Sequence, residues 1–250
     1  VAKSKQADRE AAAAPRPSGY FNWSREPTMG LFAVLPLWIA YIVMRWTLAP
    51  DERNGAEELL LREIGRFGEH AHLYVSAGFA VLIAFAARSL VRRKVPWSRV
   101  AAVIAIEGIV YGVMLGPIAS AMTSSANRLL SLDPAGPSMV ANLVGSVGAG
   151  IFEELVFRLG LMSALVWISM RVVRGWALSK WLGGLFAVVG SALVFSWFHH
   201  MCGEPFDQPT FVFRTMAGVL LGLLMWMRGY GVCVYTHTVY NIYFYCVHTT

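Results

Sequence analysis

Apolar and polar positions are distributed along this chain in long blocks. Runs of roughly 18–22 apolar residues recur, each closed by a short charged or turn-rich segment, and that is the length an α-helix needs to cross a bilayer. The pattern predicts spans at about 29–48, 70–91, 100–122, 139–170, 182–200, 211–227 and 232–247. Only helices or closed barrels satisfy their backbone in lipid, and these runs are too long for barrel strands. The expected fold is therefore all-α, a polytopic transmembrane helical bundle of about seven spans. Residues 1–28 are polar, carry mixed charge and include AAAAPRP, which reads as a disordered or surface-lying N-terminal arm. Residues 29–250 form the membrane domain. Within 50–69, Leu60, Leu61, Ile64 and Phe67 recur at helical spacing, which suggests an interfacial helix, with an exposed helical loop as the equal alternative. Asp133-Pro134 and Gly136-Pro137 mark a turn in the 123–138 connection.

Composition supports this class. Of 250 residues, 56% are hydrophobic and 14% charged, against about 25% charged in a soluble domain. The net charge of +6 does not point to nucleic acid, because the basic residues sit in short connections, as topology signals do. The arm, residues 88–99, residues 171–180 and Arg228 fall on one side of a seven-span chain and are richer in Lys and Arg. The positive-inside rule puts that side, with the N-terminus, in the cytoplasm, and a bacterial inner membrane is the expected location. Cys202, Cys233 and Cys246 are scattered without CxxC spacing and read as buried free thiols.

The segment that breaks the apolar pattern is GIFEELVFRLG, residues 150–160. It sets Glu153, Glu154 and Arg158 inside the 139–170 run, which carries no other charge. One such side chain at bilayer depth costs about 2.5–3.5 kcal/mol on insertion scales, so these groups must face protein or a wet cavity. Glu154 and Arg158 are i,i+4 neighbours able to neutralise each other. A purely structural ion pair explains those two and leaves Glu153 to find partners elsewhere in the chain. Just before the motif, Ser146 and Gly150 form a small-xxx-small pair that admits a neighbouring backbone. Glu107, alone in the third span, is expected to hydrogen-bond a neighbouring helix, with a cavity wall or a pairing with Arg158 as alternatives.

Two later spans carry polar groups at helical spacing: Phe195 and His199, then His237 and Asn241, each pair on one helix face. A carboxylate beside an imidazole can orient and deprotonate a water, and an imidazole and an amide across the site can donate to an oxyanion, worth roughly 3–4 kcal/mol per good donor. Glu153, His199 and His237 are also a recognisable ligand set for a catalytic zinc, so hydrolysis with and without metal both remain open. A single membrane histidine more often serves helix packing, and His70, His72, His200 and His248 are assigned to that use. No HExxH, GxSxG or Walker motif occurs. The competing readings are a proton-coupled transporter using Glu107, Glu153 and His237 as a relay, and a non-catalytic membrane scaffold. No internal repeat supports the transporter.

EELVFR, FSWFH and HTVYN, in this order on successive late spans, resemble the EExxxR, FxxxH and HxxxN motifs of the CPBP family. That family comprises the CAAX proteases and bacteriocin-processing enzymes, also called Abi. The resemblance covers about residues 140–245 and implies an intramembrane endopeptidase with its catalytic core there. It implies that Glu153 and His199 activate water, that His237 and Asn241 form the oxyanion site or help hold the water, and that Glu154 and Arg158 order the site or meet the substrate terminus. The family is commonly classed as metalloproteases, with a metal-independent glutamate mechanism also proposed. The second is preferred here, since Asn is a poor zinc ligand, so no cofactor is required and a divalent metal such as zinc is the alternative. The expected partners are the lipid bilayer and a membrane-associated protein or peptide substrate, bacterial rather than necessarily prenylated.

Overall fold

The computed structural model describes residues 19–45, 71–123, 139–172, 179–201 and 204–247. The segment 50–69 and the connection 124–138 lie outside them. Among the described residues every regular element is helical. The order is α1 (Tyr20–Arg25), α2 (Pro27–Ala33), α3 (Leu35–Arg45), α4 (Ala71–Arg92), α5 (Trp97–Thr123), α6 (Met139–Val172), α7 (Ser179–Met201), α8 (Gln208–Arg228) and α9 (Tyr230–Ile242). Five stretches are long and apolar enough to cross a membrane: Leu73–Arg92 of α4, all of α5, α6 and α8, and Trp181–Met201 of α7. Helices α2 and α3, bent by 41°, make a sixth if they are one broken span. The bend follows from Pro36, which lacks an N–H and crowds the carbonyl four residues earlier. Large apolar side chains such as Val81, Phe85, Ile106 and Val110 are exposed along α4 and α5. A belt of that kind is stable against lipid, and the protein is an integral membrane protein.

The expected seventh span is of a different kind. Helix α9 is short, polar and almost wholly buried, from Tyr230 through Val234 and again at Thr236, His237, Thr238 and Asn241. It is walled in by glycines of its neighbours. A Cβ at Gly108 or Gly112 of α5 would overlap Tyr235 or Val239, and one at Gly150 of α6 would overlap Thr238. Close backbone approach through small residues replaces the lipid-facing apolar surface that a spanning helix needs. The small pair expected beside the acidic motif thus meets α9.

Helices α8 and α9 are joined at Gly229, whose φ of 86° suits a residue without Cβ. Its N–H donates to the Met225 carbonyl at 3.0 Å. Against this corner lies α1, a helix within the segment expected to be a disordered or surface-lying arm. Ser24 is fully buried, and Arg25 Nε donates to the Met227 carbonyl at 2.5 Å. The Tyr20 hydroxyl donates to Glu107, and the Arg228 guanidinium stands 4.4 Å from the Phe21 ring centre. Residues 1–18 of the arm lie outside the described residues.

Candidate active site

The acidic motif lies on an unusual backbone. Within α6, Ala149–Met162 forms a π-helix, its hydrogen bonds running i→i+5, a rare geometry that is frequent at functional sites. Glu153, Glu154, Phe157 and Arg158 are all buried on it. Tyr230 of α9 donates its hydroxyl to the Ile151 carbonyl at 3.1 Å, tying this turn to the central helix.

Glu154 is held from three directions. Arg158 Nε is 3.3 Å from its Oε2, as the spacing predicts. His237 Nδ1 is 2.7 Å from Oε1, and the Cys233 thiol donates to Oε2 at 2.9 Å. Arg158 in turn stacks over the Phe195 ring at 4.4 Å and donates through Nη2 to the Gly218 carbonyl at 3.4 Å. Removing one partner from such a buried pair costs about 3–5 kcal/mol, because the other charge is stranded.

Glu153 faces the remaining histidines. Its Oε1 is 4.0 Å from His199 Nε2 and its Oε2 is 3.8 Å from His237 Nε2. Both gaps exceed a direct hydrogen bond and suit a bridging water. The ring partners set the tautomers. His199 Nδ1 lies 3.0 Å from the Phe195 carbonyl, which can only accept, so Nδ1 carries the proton and a neutral ring turns its Nε2 lone pair toward Glu153. His237 Nδ1 donates to Glu154, which fixes the orientation of that ring and turns its Nε2 toward Glu153. Phe195 supports both, its ring centre 5.0 Å from His199 and 6.1 Å from His237.

Of the six candidate residues, Glu153, Glu154, Arg158, His199 and His237 therefore converge. Asn241 is buried one turn beyond His237 on the same face of α9. Glu107 does not pair with Arg158. Arg228 grips it through Nε at 2.7 Å and Nη2 at 2.6 Å, and Tyr111 donates to it at 3.1 Å. It is thus bound in a separate cluster and is not part of a relay with Glu153. His200 packs among the rings of Trp197, Phe206 and Phe211. Cys233 was legible only as a buried thiol; the usable signal was its position four residues before His237, on the face that meets Glu154.

The fit of a metal follows from the same distances. Zinc held at about 2.0–2.2 Å by tetrahedral ligands brings their donor atoms to about 3.3 Å of one another. Glu153 is farther than that from both imidazoles, and among the described residues no group of three His, Cys, Asp or Glu is placed to hold an ion. As they stand, these residues do not fit zinc, and no step below passes through one.

Residues 135–243 match the family model described as Type II CAAX prenyl endopeptidase Rce1-like. That segment belongs to the CAAX protease family. No curated protein and no solved structure matched the chain. The CAAX protease segment takes in α6 through α9 and all three motifs, and it ends at the residue after Ile242. The likeness over that segment is to CAAX-type proteases, and a protease family implies a protein or peptide substrate in the membrane.

Proposed function

We propose that this protein hydrolyses a peptide bond near the membrane-anchored end of a protein, using water activated by Glu153 and His199. The observation that carries the reading is the pair of gaps, 4.0 and 3.8 Å, between the buried Glu153 carboxylate and the two Nε2 atoms. Water in the first gap donates one proton to Glu153 and the other to the His199 lone pair. Glu153 takes its proton as the oxygen attacks the scissile carbonyl, then passes it to the departing amine. His237, protonated and backed by Glu154, turns Nε2–H toward the developing oxyanion, and the Asn241 amide is assigned the second donor position. In that state Glu153, Glu154, Arg158 and His237 sum to no net charge, which suits a buried cluster. Glu154, Arg158 and Cys233 are positioning residues that hold His237. The family description supports an S-prenyl cysteine next to the cut bond. The basic residues Arg25, Arg92, Arg93, Lys94 and Arg228 support a cytoplasmic N-terminus.

The test is cleavage of fluorogenic peptides, farnesylated and plain, by purified wild type and Glu153→Gln. Loss of about 10²–10⁴-fold in kcat with unchanged thermal unfolding is expected for removal of a general base. Wild-type rates in the variant overturn the assignment. Activity that disappears with chelator and returns with zinc overturns the metal-free scheme.

A further inference from the structure

A second charged group borders the water site where α7 ends and α8 begins. These helices run antiparallel and close: a Cβ at Gly218 would sit 3.0 Å from the Ala192 side chain and 3.3 Å from the Phe195 ring. Ser196 Oγ donates to the Phe211 carbonyl at 2.8 Å. Arg214 precedes Gly218 by one turn, so it shares the α8 face that meets Phe195 and Arg158. Its guanidinium takes the Glu204 carboxylate with both prongs, Nη1 to Oε2 at 2.5 Å and Nη2 to Oε1 at 3.0 Å. The Glu204 N–H donates to the carbonyl of His199 at 3.4 Å, which ties the Glu204 main chain to the end of α7. Tyr245 lies four residues past Asn241, on the continuation of α9. It hydrogen-bonds with Arg214 and is within electrostatic reach of Glu153 and Glu204.

The two partners are unequally held. The Arg214 side chain is 20% exposed, while that of Glu204 is 47% exposed and comes from the non-helical connection before α8. A planar carboxylate fits the guanidinium fork in one geometry, and Glu204 already occupies it. Any carboxylate entering from the site side trades like for like, whereas an amide has no charge to offer the fork.

We propose that Arg214 binds the C-terminal carboxylate of the peptide cut at Glu153, with Glu204 holding the fork until substrate displaces it and Tyr245 aligning it. This rests on the hydrolytic reading above and assigns the residue that would read the chain end of its substrate. Internal loops of folded proteins are then poor substrates, because they bring no terminal charge.

The experiment measures binding in the cleavage-dead Glu153→Gln protein, full chain, in lipid nanodiscs. The probe is a fluorescent S-farnesyl-cysteine peptide with three apolar residues after the cysteine, made as free acid and as C-terminal amide. The acid is expected to bind at least about tenfold tighter than the amide, as for a charged fork contact. Adding Arg214→Gln erases the ratio, and adding Arg214→Lys restores part of it. Adding Glu204→Gln tightens the acid several-fold and leaves the amide unchanged. A ratio near one, no binding of either form, or a ratio that survives Arg214→Gln overturns the proposal. Binding does not depend on turnover, so the two readings separate. A wild type that cuts neither form while the ratio holds overturns hydrolysis alone. One that cuts acid and amide equally while the ratio is one overturns the carboxylate site alone.

Discussion

Gly150→Ala tests the contact that brings α9 to the acidic motif. A methyl group there overlaps the Thr238 hydroxyl and comes within 3.0 Å of the Val234 carbonyl and 3.1 Å of Thr238 Cβ. Carbon atoms at their best separation stand about 3.5–4.0 Å apart. The hydroxyl can rotate away, but the Val234 carbonyl is backbone, so α9 must retreat by about 0.5 Å to restore contact distance. Overpacking of this size costs about 1–3 kcal/mol. His237 lies one residue from Thr238, and its 2.7 Å bond to Glu154 and 3.8 Å approach to Glu153 lengthen together. Since a 1 Å misplacement can cost about 10²-fold in rate, roughly tenfold is expected here. The assay pairs thermal unfolding in detergent with initial rates on the farnesylated peptide. Thr238→Ala supplies the control, because its Oγ1 is buried without a hydrogen-bond partner and its loss alone should be near neutral. In the double variant the contacts at 3.0 and 3.1 Å remain, so about half of the lost stability should return, as coupling between touching residues. Wild-type Tm and rate in Gly150→Ala, or strictly additive losses in the double, would refute the close approach and the route by which it aligns His237.

Two further outcomes follow from the groups around Glu154. Arg158→Met strands a carboxylate in the bundle and should lower stability by about 3–5 kcal/mol in a denaturant titration, whereas Glu154→Gln with Arg158→Met should lose clearly less; equal losses would mean the two charges do not depend on each other. Cys233→Ala removes a weak donor to Glu154 at a cost of about 1 kcal/mol and a several-fold fall in kcat, while Cys233→Ser keeps a donor and most of the rate; identical kinetics for the two variants would remove Cys233 from the positioning set.

The helices were legible because apolar runs of bilayer length have one backbone solution in lipid, and their observed ends lie close to the expected ones. The charged motif was legible for the complementary reason, that ionised groups in such a run must meet partners. Other features were hidden for definite reasons. The broken first span hangs on Pro36 and the packed α1 on contacts to Glu107 and Arg228, far away in the chain. Glu107 had one cation to choose among many, and helix periodicity does not say which end of which neighbour lies alongside. The burial of the last expected span, 232–247, was hidden, since a hydropathy pattern counts residues without knowing that glycines of α2, α5 and α6 wall α9 in.

By itself, then, the sequence determined a membrane bundle of helices and the three polar motifs on its late segments, because hydropathy and helical spacing are local properties of a chain in lipid. Only the tertiary structure decided the rest: the π-helical turn under Glu153, the division of labour in which Glu154 is saturated by Arg158, His237 and Cys233 while Glu153 faces two Nε2 atoms, and the fork of Arg214 at its border. Two adjacent glutamates are chemically identical in the sequence. What tells them apart is which donors the neighbouring helices bring within 3 or 4 Å, and that depends on how closely glycine lets those helices pack.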